Sequence, residues 1–196
     1  MAKAKALTDL DPRAPTGQNA RQIARTRLDE MYSWAADVDE PYEVRGLHNL
    51  RIAAKRMRYV LEIFEDVLPP AAQSIADELA QIQDELGAMH DCDVMIALLR
   101  LGLGSEDAGT AYEQALVNAK TQKAKGKLLL QPGMVAAVLD PNVAPSAKQR
   151  LGLEQLLLKQ IQLREERYQA FRRHWYQLQA RDFRREILDT LSGQAR

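Results

Sequence analysis

Between Glu43 and Leu68 the apolar residues return every three or four positions, a period that fits an α-helix and not a strand. Set His48 at zero on a wheel that advances about 100° per residue. Leu50, Ala53, Ala54, Met57, Val60, Leu61, Phe64 and Leu68 then gather at roughly 120–240°, a core-facing stripe. His48, Arg51, Lys55, Arg58 and Tyr59 gather on the other side, at roughly 280–20°, while Arg56 stands apart on the flank. Pro69-Pro70 stops the helix, because proline lacks the amide hydrogen and clashes with the preceding turn.

The rest of the chain follows the same period. A first helix is expected from about Gln18 to Ala36, with Ile23, Leu28, Met31 and Trp34 on one side, broken by the stretch from Asp37 to Pro41. A third starts at Ala71 or Ala72, just after a proline. It runs through Leu86, kinks at Gly87 and ends at Leu101, before Gly102 and Gly104. Ala111–Lys127 reads as helix, whereas Gln131–Pro145 holds three prolines and a glycine and reads as loop. A long last helix is expected from Gly152 to Leu191. In it Ile161, Arg164, Tyr168, Phe171, Trp175 and Leu178 repeat at 3-4-3-4-3 spacing, the mark of a packing seam. No strand-type alternation stands out. The expected fold is all-α, a helical bundle of four or five main helices. Residues 1–17 read as a disordered leader. Residues 18–196 read as a single helical domain with a loop-rich segment at about 104–151.

Composition bounds the function. Of 196 residues, 46% are hydrophobic, enough for a real core. Acids and bases balance to a formal net charge of zero, so bulk attraction to nucleic acid or an anionic membrane is not expected. Anion affinity must come from local clustering. Cys92 is the single cysteine, so no intrachain disulfide forms; it reads as a small packing residue. No apolar run is long enough to span a bilayer, and the N-terminus has no secretory h-region. A cytoplasmic location is expected.

The basic arc on the second helix is the strongest chemical signal. Surface helices usually mix glutamate with lysine for i,i+4 pairing, yet no acid stands between His48 and Tyr59. Steps of three or four residues place successive cations about 4.5–6 Å apart along the axis, comparable with phosphates in a condensed chain. Arginine forks two oxygens, lysine offers a point charge, and histidine and tyrosine each donate a hydrogen bond. Glu62 follows one turn later and can pair with Arg58. Tyr59 lies at the edge of the arc and could equally face the core. A second strip, Arg167, His174 and Arg181, recurs every seven residues beside the seam, and Arg164 lies within it. A buried arginine needs a partner or a ligand, but Glu165, Glu166 and Asp182 are near, and an edge arginine can snorkel. Arg21 and Arg25, at i,i+4 on the first helix, form a weaker candidate pair. The bland reading of each strip is a solvated charged face.

The stretch from Leu47 to Phe64 carries His48, Arg51, the run Lys55-Arg56-Met57-Arg58-Tyr59 and the end Leu61-Glu62-Ile63-Phe64. It resembles the signature helix of CHAD domains, the conserved-histidine α-helical domains. Leu86-Gly87-Ala88-Met89-His90-Asp91-Cys92-Asp93-Val94 is similar to that family's second motif. The resemblance spans roughly residues 43–100. It implies a helical, non-catalytic module that binds inorganic polyphosphate in a basic channel, without a cofactor or metal, in the cytoplasm or at polyphosphate granules. His48, Arg51, Lys55, Arg58 and Tyr59 would line the channel, with Arg56, Arg164, Arg167, His174, Arg21 and Arg25 as further candidates. Asp91 and Asp93 would cap a helix start or hold basic side chains. The family usually doubles the bundle, with a basic helix in each half. This chain has one copy, so a homodimer with two basic faces around one polyanion is expected.

Two rival readings remain. His48 and His90-Asp91, with a further Asp, superficially match the pattern of helical HD metal-dependent phosphohydrolases. That pairing leaves the arginine ladder unexplained. The other rival is a basic module for an acidic protein or nucleic acid. Nucleic acid is the less expected partner, since such binders add net positive charge and exposed aromatics.

Overall fold

The computed structural model describes residues 4–8, 10–104 and 145–193. The expectations of helix at Ala111–Lys127 and loop at Gln131–Pro145 lie outside the described residues, apart from Pro145. The elements are α1 (Thr16–Tyr32), a 3-10 turn (Ala35–Asp39), α2 (Val44–Ile63), a second 3-10 turn (Glu65–Val67), α3 (Ala72–Gly102), α4 (Ala147–Ala180) and α5 (Phe183–Ser192). The fold is all-α, and no strand occurs among the described residues. No described helix is long and apolar enough to cross a membrane.

The chain divides into two compact units. One comprises Met1–Ala88 with Arg167–Arg196, the other Met89–Glu166.

In the first unit, α1 presents Ala20, Ala24, Leu28 and Met31, none of them exposed, to the core. Small residues early in that stripe let α2 come close. Gly17 lies beside the Val67 carbonyl, while Glu30 at the other end of α1 reaches Arg56, so the two helices run antiparallel. Leu47, Leu50, Ala53, Ala54, Met57 and Leu61 are buried on α2; Val60 and Phe64, which the wheel also sets on the core stripe, are only half-buried. From the last helices, Tyr168, Phe171, Trp175, Leu178, Phe183, Ile187 and Leu191 complete this core. The Trp175 ring meets Tyr32 at 5.8 Å and Phe171 at 6.2 Å between centroids. Tyr168 donates its hydroxyl to the Val38 carbonyl, 3.0 Å away. Residues before α1 also make contacts. Asn19 exchanges hydrogen bonds with the Asp11 backbone, and Arg27 donates to the Lys5 carbonyl.

The second unit packs Met89, Cys92, Ile96, Leu98 and Leu99 inward. Its α4 segment leaves Leu151, Leu156, Leu158 and Ile161 exposed.

Several expected boundaries move. α1 ends at Tyr32, and the residues after it tighten into the 3-10 turn Ala35–Asp39. α2 stops at Ile63. Leu68, which precedes a proline, is extended at φ −98° and ψ 157°, and a proline disfavours helical backbone in the residue before it. The intervening residues wind as a 3-10 turn, a common way for a helix to finish. Gly87 does not kink its helix: α3 runs unbroken from Ala72 to Gly102. The expected long last helix is two. Asp182 takes a left-handed conformation at φ 57° and separates α4 from α5. Aspartate is among the few non-glycine residues that visit this region at small cost. The seam holds from Arg164 to Leu178, but Ile161 is exposed.

Candidate functional site

α2 begins where Glu43 accepts a hydrogen bond from the Gly46 amide, 3.3 Å away, satisfying one otherwise unpaired donor of the first turn. One turn on, the basic arc starts. His48, Arg51, Lys55, Arg58 and Tyr59 are all half-buried, unlike side chains of a fully solvated face. Two cations lie over the Tyr59 ring, with Lys55 Nζ 5.4 Å and Arg58 Cζ 5.2 Å from its centroid. Such contacts restrain the cations without neutralising them.

Charge pairing along the arc is sparse. Arg58 Nε stands 3.5 Å from Glu62 Oε1, a loose contact with a carboxylate that is 44% exposed and open to solvent screening. Arg51 and Lys55 form no ion pair among the described residues, and the buried Arg51 Nε has no hydrogen-bond partner there. The Arg51 guanidinium lies against Gly87 of α3. Half-buried cations without a counter-charge are costly unless something negative arrives.

The remaining candidates occupy different surroundings. Arg56 turns away from the arc and, with Arg27, binds Glu30, a carboxylate only 5% exposed. Arg21 and Arg25 line a polar cleft of about 300 Å³ with Asp11, Gln18, Asn19 and Gln22. Arg25 also donates to Ser192 Oγ at 3.3 Å. Arg167 donates through Nη1 to the Ala88 carbonyl. His174 is clasped on both ring nitrogens, by Glu85 at 2.8 Å and Glu78 at 3.3 Å, and Glu78 also takes Arg181 at 2.8 Å. Arg164, in the second unit, is buried and donates to Asp93 Oδ1 at 2.7 Å. Burial raises the Asp93 carboxyl above its ordinary range, and Arg164 opposes that shift.

Asp91 and Asp93 lie inside α3, away from any helix start. Of the two roles expected for them, Asp93 therefore fills the second, holding a basic side chain. Among the described residues no group of three or more His, Cys, Asp and Glu side chains is arranged to hold a metal ion.

Sequence reasoning did not foresee the part played by Gly87, nor the acids Glu30, Glu78 and Glu85 that engage the flanking cations. A glycine amid helix formers was the available signal for the first. The acids sit on other helices, and no local spacing announces them.

The family model of the CHAD domain matches residues 1–100, which include all of α1 and α2 and the motif around Gly87. No curated protein and no solved structure matches the chain.

Proposed function

Because the chain belongs to the CHAD domain family, we propose that it binds inorganic polyphosphate, or a closely similar phosphate-rich chain, without transforming it. The ligand would lie along α2, meeting His48, Arg51, Lys55, Arg58 and the Tyr59 hydroxyl. The observation that carries this reading is the half-burial of Arg51 and Lys55 with no carboxylate beside either among the described residues. Arg56, an equally half-buried cation on the same helix, is held by an acid, Glu30. Arg51 and Lys55 instead keep their charge available, and Arg58 has only a loose, exposed competitor in Glu62. Phosphate oxygens supply what is lacking: charge-assisted hydrogen bonds, forked in the case of arginine.

The site has no nucleophile–base pair, and its residues suit grip better than chemistry. Arginine and lysine that neutralise consecutive phosphates hold a chain in place but cleave nothing. The pairing of Arg56 with Glu30 and of His174 with two glutamates favours a role for those side chains in holding the helices around the site.

Calorimetric titration with long-chain polyphosphate tests the proposal. Replacing two cations by acids, Arg51→Glu/Arg58→Glu, should weaken binding at least about a hundredfold, since each charged hydrogen-bonding group contributes roughly 1.5–3 kcal/mol. Equal affinity of parent and variant would remove α2 as the site. Phosphate release from the same polyphosphate would instead favour a hydrolase.

A further inference from the structure

Gly87 sits in the interior of an unbroken helix, in a run of good helix formers. Glycine is a poor choice there, because it loses more conformational freedom on folding than any other residue. Its backbone does not require it either: Gly104 and Gly193 are the described glycines with positive φ, and Gly87 is not among them.

The space above its α-carbon supplies a reason. A Cβ built at Gly87 would stand 3.2 Å from Arg51 Nε, 3.7 Å from Arg51 Nη2 and 3.9 Å from Arg51 Cζ. All three nearest atoms belong to one guanidinium, and none to a neighbouring backbone. The glycine therefore makes room for a side chain, not for close approach of two helices. The same guanidinium has no ion pair among the described residues and carries a buried Nε without a partner. It is held by shape and not by charge. At the next residue, the Ala88 carbonyl accepts a hydrogen bond from Arg167, so one turn of α3 seats arginines from both α2 and α4.

We infer that Gly87 is a positioning residue for anion binding. Its missing side chain leaves the notch in which the Arg51 guanidinium lies, un-neutralised. This inference rests on the reading of α2 as the polyphosphate-binding face. A methyl group at position 87 would stand 3.2 Å from Nε, too tight for an ordinary contact, so the guanidinium would have to shift and turn from its seat. The fork of donors would then meet the phosphates at the wrong angle.

The test is a double-mutant cycle read by calorimetric titration with long-chain polyphosphate, with thermal unfolding followed on each protein. Gly87→Ala should lose about tenfold in affinity, the scale of one misdirected charge-assisted hydrogen bond. Its thermal midpoint should hold or rise, because alanine favours the helix. In an Arg51→Met background the same Gly87→Ala change should cost no further affinity. If Gly87→Ala binds as the parent does while Arg51→Met is weakened, the inference is overturned and the function stands. If Gly87→Ala weakens binding equally with and without Arg51, the glycine acts through some other group, which also overturns it. A parent protein that binds no polyphosphate would overturn the functional reading and this inference together.

Discussion

Within the run Lys55-Arg56-Met57-Arg58, four consecutive side chains meet three different environments. Met57 is buried in the core, Arg56 is bound by Glu30, and Lys55 and Arg58 flank the Tyr59 ring. One residue of helical rotation, about 100°, separates Arg56, bound by Glu30, from Lys55 on the basic arc. The contrast between Arg56 and Arg51 is thus one of partners and not of residue type. Arg164 makes the same point in the second unit, where it is 7% exposed and paired with Asp93. Burial is the larger influence on that aspartate and raises its pKa above 3.8; the hydrogen bond and charge of Arg164 pull it down. A carboxyl whose folded pKa is raised contributes most to stability at low pH, and that contribution is lost as pH rises through the folded pKa. Arg164→Met removes both opposing influences, so the Asp93 pKa should climb further. The variant should therefore be less stable than the parent at neutral pH, by about 2–4 kcal/mol, with the gap narrowing as the medium is acidified toward about pH 4. Urea unfolding of both proteins across that range measures it. A gap that stays constant with pH would mean that Asp93 does not ionise against Arg164.

At the scale of elements, α2 depends on how it begins. The Asp37 carboxylate, from the 3-10 turn that precedes α2, lies against Gly46, where any Cβ would collide with it. Burial and the nearby Glu43 both raise the Asp37 pKa. Gly46→Ala should destabilise the protein by about 1–3 kcal/mol despite the better helix propensity of alanine. Asp37→Ala/Gly46→Ala should recover most of that loss. Chemical denaturation of the three variants decides it; a Gly46→Ala midpoint at or above that of the parent would show that Asp37 simply swings aside. The same contrast explains what could be read in the sequence. The two faces of α2 were legible because a 3.6-residue period is a local property, and the buried residues from Leu50 to Leu61 follow it. The stop after α2 was legible from Pro69-Pro70. The break between α4 and α5 was not, because it rests on one left-handed aspartate, Asp182, with no glycine or proline to mark it. In the sequence Gly87 looks like a kink, because the side chain it lies against, Arg51, belongs to another helix. Arg167, His174 and Arg181 look alike at their seven-residue spacing, yet Arg167 goes to a carbonyl, His174 to Glu78 and Glu85, and Arg181, just past α4, to Glu78 and Glu186.

At the scale of the whole molecule, the formal net charge is zero, so no long-range field draws a polyanion to the chain. Affinity has to come from a short row of cations, and its salt dependence counts them. Arg51, Lys55 and Arg58 are the permanently charged members of the α2 arc. If one face binds alone, the logarithm of the binding constant should fall against the logarithm of salt concentration with a slope of about −2 to −3, taking roughly 0.7–0.9 ions released per neutralised phosphate. The 196 residues carry one copy of the basic helix, whereas the family resemblance implies two around a shared ligand. A C2 pair of chains would rebuild that arrangement with one self-complementary surface. The slope should then steepen to about −4 to −5, because six cations meet the polyanion. Sedimentation in the presence of a short polyphosphate should, on the same samples, show two chains per ligand. The two measurements must agree: a shallow slope with a monomeric complex at high dilution would rule out the pair and leave a single face binding alone. A steep slope without pairing would point to cations beyond α2, with Arg21 and Arg25 in their open cleft the next to test.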